Sequence, residues 1–179
     1  MESIFSTKER IKIIDAVVYK KGSISVNNVA SQLRLSKGLV SKYLDILAKE
    51  GILKRANGKF IVVESAIGKG IKILLNIRKI PVLLFRKYPF VKSAGLYGSC
   101  AKGENNEESD IDLWVKVDDV SEEKLASLSS GLNKRLEKLK LLFLTDKKIE
   151  KLKKEDELFY HSLAFGSITI YGEKDGIQI

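Results

Sequence analysis

Cysteine and histidine occur once each in this chain of 179 residues, as Cys100 and His161. A single thiol excludes an internal disulfide, and one thiol with one imidazole cannot build a structural zinc site. Long apolar runs are missing as well. The longest central stretch, Ile80 to Phe85, falls far short of the ~20 residues that span a bilayer. Near the start, Glu2, Lys8, Glu9 and Arg10 interrupt any apolar signal-peptide region. No internal repeat or low-complexity tract is evident. These absences lead to the expectation of a cytoplasmic protein without a membrane partner. What is present is 44% apolar and 31% charged residues, a mixture able to bury a core. At roughly 100–150 residues per domain, the length suits one ordinary domain or two small ones.

Charge divides the chain. Residues 1–92 carry 19 Lys and Arg against 6 Asp and Glu, whereas residues 93–179 carry 13 against 17. The front half is therefore strongly basic and the back half mildly acidic. Clustered cations favour a polyanionic partner, because neutralising phosphates releases condensed counterions. The plainer reading is a solubility bias from exposed lysines. The acidic half cannot share a polyanion-binding role, although it can hold cations.

The front half has a helical period followed by an alternating one. Ile11, Ile14, Val17 and Val18 share a helix face over 8–20, stopped by Lys21-Gly22. Ser25 is placed to cap a short helix over 26–33, and Ser36 a third over 37–50 that Gly51 ends. Two strands, 52–55 and 59–63, flank Asn57-Gly58, a dipeptide suited to a tight hairpin. The run "VNNVASQLRLSKGLVSKYLDILAKEGILKRANGKF" resembles a winged helix-turn-helix domain over about residues 5–64. That resemblance implies DNA as partner. Lys37, Ser41 and Lys42 of the third helix would face bases or phosphates, and Lys54, Arg55, Asn57 and Lys59 the adjacent backbone. Winged helices also serve as protein–protein modules, which is the competing reading.

A basic, apolar helical connector follows, and Pro81 should break it. The stretch "LYGSCAKGENNEESDIDLWVKV", Leu96 to Val117, reads as strand, Gly98-Ser99, polar loop and second strand. On a strand, Asp110 and Asp112 project to one face while Ile111 and Leu113 point into a core. Two carboxylates held together repel unless a cation lies between them. Carboxylate oxygens are the ligands magnesium prefers, with waters and phosphate oxygens completing its shell. Gly98 lets backbone amides approach a phosphate, and the Ser99 hydroxyl adds a donor.

Tyr97-Gly98-Ser99, a ten-residue spacer and Asp110-Ile111-Asp112-Leu113 resemble the DNA polymerase beta-like superfamily, specifically its minimal nucleotidyltransferases. The similarity extends over about 79–179 and includes a closing strand, Gly166 to Glu173. The expected class is thus α+β: an N-terminal winged helix-turn-helix over 1–64, a connector over 65–78, and a nucleotidyltransferase domain over 79–179, with a mixed sheet flanked by helices. The resemblance implies Mg²⁺ or Mn²⁺ on Asp110 and Asp112 as catalytic ligands, and a nucleoside triphosphate held by Gly98, Ser99 and Lys102. Transfer would nucleotidylate an acceptor and release pyrophosphate. By analogy it also implies a small helical companion protein, while the winged-helix resemblance implies a homodimer.

One departure stands out. The family's active members carry a third acid on the strand after the next helix. Here that strand, Lys140 to Thr145, has none; Asp146 and Glu150 follow it, and Lys140 could fill the space as a cation. Two functions follow from these residues. One is a DNA-binding protein that transfers a nucleotide; the other is a transcriptional regulator whose degenerate fold only binds nucleotide or mediates assembly. The remaining candidates have plain structural readings. Cys100 reads as a small buried residue, His161 as a helix residue, and Lys102 equally as a solvated loop lysine. Glu104, Glu107 and Glu108 read as a solvated loop, and Lys147 to Lys154 as a helix face paired with Glu150 and Glu155. Trp114 either flanks a base on the metal face or packs against a helix.

Overall fold

The computed structural model describes residues 2–172; Glu173 and the expected domain limit at 179 lie outside them. Two compact units divide the chain. One holds residues up to Lys72 together with Asn105–Glu108, and the other holds Ile73–Glu104 and the chain from Ser109 onward.

In the first unit, helices α1 (Glu2–Phe5), α2 (Lys8–Val17), α3 (Val26–Leu33) and α4 (Lys37–Lys49) precede strands β1 (Leu53–Ala56) and β2 (Lys59–Val62). The Ser36 hydroxyl caps α4 by accepting from the Leu39 amide at 3.3 Å. Ser25 occupies the cap position of α3 but makes no side-chain cap bond. Asn57 and Gly58 both adopt positive φ, 50° and 73°, so the hairpin closes where these residues tolerate the left-handed region. Helix α2 ends at Val17, three residues earlier than its apolar period suggests. Val18 and Tyr19 remain buried beyond it, so burial continued past the helical turn and disguised its end. Ile24 adds a bridge to Phe60 beside the hairpin. Ile14, Val17, Val40, Leu44, Leu47 and Ile52 are fully buried at the centre, and the Tyr43 hydroxyl donates to the Ile4 carbonyl at 2.7 Å. Glu104, Glu107 and Glu108 are exposed, as expected of a solvated loop, and two of them find lysine partners. Lys20 pairs with Glu107, and Lys21 with Glu108.

Helix α5 (Ala66–Lys79) ends before Pro81, and a 3-10 turn takes up 82–87. The second unit is built on a four-stranded sheet ordered β5 (Leu139–Leu144), β4 (Ile111–Val117), β3 (Val91–Leu96), β6 (Ile168–Tyr171). β3 runs antiparallel to β4 and β6, whereas β4 and β5 are parallel. A parallel pair needs a crossover, and helix α7 (Glu122–Asn133) supplies it. The short helix α6 (Gly98–Lys102) lies between β3 and β4, and α8 (Asp146–Glu155) and α9 (Glu157–Gly166) lie between β5 and β6. The fold is thus α+β, with a mixed sheet flanked by helices.

Alternation along the strands divides the sheet into two faces. Ala94, Leu96, Leu113, Val115 and Leu128 of α7 form one core. On the opposite face Trp114 and Leu144 pack with Ile149 of α8 and with Tyr160 and Leu163 of α9. The candidate site lies at one end of this second face.

Candidate functional site

Strand register builds the site. Trp114 is opposite Gly95, and the Tyr97 amide donates to the Asp112 carbonyl at 3.1 Å, which places Tyr97 beside Asp112. On the other flank, Asp112 pairs with Lys140 of β5. Leu139 and Leu141 pack into the first core, so the alternate residue Lys140 must project toward the Asp112 face. Asp110 immediately precedes β4 rather than lying within it, yet its Oδ2 accepts from Lys140 Nζ at 2.5 Å. Lys140 therefore pairs with Asp110 and stands across the strand register from Asp112.

Gly98 brings the loop onto the carboxylates. Its φ is 63°, and a Cβ at this position would stand 2.6 Å from Asp112 Oδ2. Only glycine permits both the conformation and the approach. Ser99 follows in the first turn of α6, with Tyr97 as its N-terminal cap residue. Ser99 is half-buried, whereas Lys102, at the end of α6, is exposed. Cys100 is buried beneath the turn, where its thiol donates to the Asp110 carbonyl at 3.4 Å. Asn76 holds the Cys100 carbonyl from α5 at 2.9 Å.

Electrostatics follow from this geometry. Burial pushes the Asp112 carboxyl above the usual carboxylate range; Lys140 opposes the shift and Asp110 adds to it. The hydrogen bond to Asp110 raises the Lys140 ammonium, and the charges of Asp110, Asp112 and Tyr97 assist. Tyr97 is shifted upward, chiefly by burial and then by Asp112, with Lys140 opposing. Its ring meets Phe159 of α9 edge-on at 6.3 Å. Tyr97 opens the Gly98-Ser99 motif in the sequence, and the strand register is what places it beside Asp112.

The family model of polymerase beta, nucleotidyltransferase, matches residues 82–175. The chain belongs to that family. No curated protein matches the sequence. Among solved structures, a chain of a toxin–antitoxin crystallised with AMP-PNP shares 20% identity at a TM-score of 0.43, covering 57% of this chain and 78% of that one. A chain from the tri-AMPylated Shewanella oneidensis HEPN toxin in complex with MNT antitoxin shares 19% at 0.38, covering 57% and 75%. Likeness at this level carries no argument about what this chain binds. No helix among the described residues is long and apolar enough to cross a membrane.

This fold typically works with a divalent metal and a nucleoside triphosphate, so the donor set can be tested against that need. Asp110 and Asp112 fit one hard cation with phosphate oxygens as co-ligands. Among the described residues, no group of three His, Cys, Asp or Glu side chains comes together. Asp146 pairs with Lys116 at 3.0 Å, and Lys116 lies four residues past Asp112, roughly 13 Å along an extended strand. Glu150 pairs with Lys153 at 3.1 Å on α8. Neither acid turns back to the site. Trp114 is also accounted for: its indole covers Gly95, where a Cβ would approach it to 2.5 Å, and it packs beneath α8 and α9. That is the helix-packing reading, and it leaves no ring surface for a base.

Proposed function

We propose that the second unit binds the phosphates of a nucleoside triphosphate and senses the nucleotide, with transfer to an acceptor slow or absent. The observation that carries this reading is the convergence of the Gly98 turn on Asp112, with Asp110 and Lys140 alongside. Gly98 and Ser99 would present backbone amides and a hydroxyl to phosphate oxygens, and Lys102 would reach them from the end of α6. Asp110 and Asp112 would hold one divalent ion beside them. When bound, such an ion offsets the carboxylate charge and polarises phosphate oxygens. Among the described residues, the acids that follow β5, Asp146 and Glu150, are paired with Lys116 and Lys153, and a general base contributes roughly 10²–10⁴-fold in rate. Sensing therefore suits this site better than turnover.

For the front of the chain the proposal is DNA binding by a winged helix-turn-helix over 1–64, joined through 65–78 to the nucleotide domain over 79–179. Lys37 and Lys42 on α4 and Lys54, Arg55 and Lys59 on the hairpin are all exposed, while Ser41 is half-buried. Such a protein would act as a nucleotide-responsive transcriptional regulator.

The test uses the full chain with labelled nucleoside triphosphates and Mg²⁺ or Mn²⁺. Saturable binding without label transfer to protein, small-molecule or nucleic-acid acceptors is the expected result. Asp110→Asn with Asp112→Asn should abolish the metal-dependent part of that binding. Rapid transfer would overturn the sensing assignment, and unchanged binding in the double variant would make the aspartate pair structural.

A further inference from the structure

A cation already lies against the paired aspartates. Lys140 Nζ meets Asp110 Oδ2 at 2.5 Å, and its strand register places it directly across from Asp112. This placement is imposed by the fold. Leu139 and Leu141 are committed to the first core, and Leu142 packs on the opposite face with Trp114, so period-two alternation leaves Lys140 no other side of β5. The ammonium end remains accessible, with two thirds of the side chain exposed, so it can swing aside without disturbing the sheet.

We propose that Lys140 is a built-in counter-ion that competes with a divalent metal for Asp110 and Asp112, so that metal enters only by displacing the ammonium. The inference deepens the nucleotide-site reading above and rests on the same aspartate pair. A lysine ammonium beside the carboxylates satisfies their charge, and it repels a divalent ion at ~4 Å even in a water-like dielectric. Because the side chain can move away, the penalty on metal affinity should be on the order of tenfold, below the rigid Coulomb limit. Phosphate oxygens arriving with the metal would add ligands and favour displacement of the ammonium.

The experiment measures Mn²⁺ alone, by electron paramagnetic resonance or calorimetry, on the unaltered chain and on Lys140→Gln. Gln keeps a polar side chain one bond shorter and removes the charge, and the exposed position allows folding to be checked by thermal melting. Lys140→Gln should bind Mn²⁺ about tenfold more tightly, and adding Asp112→Asn to it should remove the gain. A gain below threefold, or one that persists in Lys140→Gln with Asp112→Asn, overturns the proposal. If Lys140→Gln melts early, Lys140→Met gives the same comparison by the same thresholds. Nucleotide is absent from this measurement, so the two readings fail separately. A protein with the expected Mn²⁺ gain but no affinity for any nucleoside triphosphate keeps the counter-ion and loses the nucleotide site.

Discussion

Cys100 shows how one residue reports on the whole turn. Burial pushes its thiol up to about 11 from an ordinary 9.0, and the Asp112 charge pushes the same way. The proton is therefore held more tightly in the folded chain than in the unfolded one. The corresponding stability is fully present below pH 9 and is lost as pH rises toward 11. The thiolate is the reactive form, so alkylation of native protein at pH 8 should run at least about 100-fold slower than in denaturant, as a two-unit shift in pKa requires. Mass-spectrometric labelling measures this, and equal rates would mean that the Gly98 turn does not cover the thiol. Its burial was legible in the sequence, since a small apolar-like residue after a phosphate-type turn belongs inside. The approach of Gly98 to Asp112 was legible for a similar reason, because a glycine turn followed by a returning strand brings the two together. The meeting of Lys140 with Asp110 was visible only as an option, because the strand register that forces it is a long-range property of two segments separated by α7.

Among elements, α4 and the hairpin after it were read almost to the residue, because strong local signals mark their ends. Ser36 caps one, and Asn57-Gly58 turns the other. The cap gives a direct prediction. Ser36→Ala removes the acceptor of the Leu39 amide and should destabilise the protein by about 1 kcal/mol, whereas Ser25→Ala, with no side-chain bond to lose, should cost much less. Chemical denaturation of both variants compares them, and equal losses would mean that the Ser36 bond contributes nothing. Elements without such punctuation were read less well. Residues 122–133 are helical, although leucines continue at helical spacing past the end of α7 through Leu136 and Leu139. The short α6 resembled a polar loop because five residues hold too little period to recognise. Asp110 fell just outside β4 for the same reason: alternation identifies which residues share a face better than it identifies where a strand begins.

For the whole molecule, the opposed charges of the two halves are the property that composition showed first, and they bear on the DNA reading. Among the hairpin cations, Arg55 is already engaged. It donates to Asp45 from Nε at 3.1 Å and lies over the Phe60 ring at 5.1 Å. Exposed pairs of this kind are worth little in themselves, but a guanidinium committed to a carboxylate has fewer donors for a phosphate. Lys37, Lys42, Lys54 and Lys59 should therefore carry more of the DNA affinity than Arg55. Their replacement by Ala should lower the slope of log affinity against log salt by about 0.9 for each phosphate that the variant no longer neutralises, whereas Arg55→Ala should change it less. Fluorescence anisotropy with a duplex over a range of salt concentrations provides the slopes. A slope near zero for the unaltered chain would remove nucleic acid as the partner and leave the basic unit as a protein-binding module. A larger effect from Arg55 than from the lysines would mean that its pair with Asp45 opens on the duplex, because a guanidinium released from Asp45 regains its planar donor fork for a phosphate.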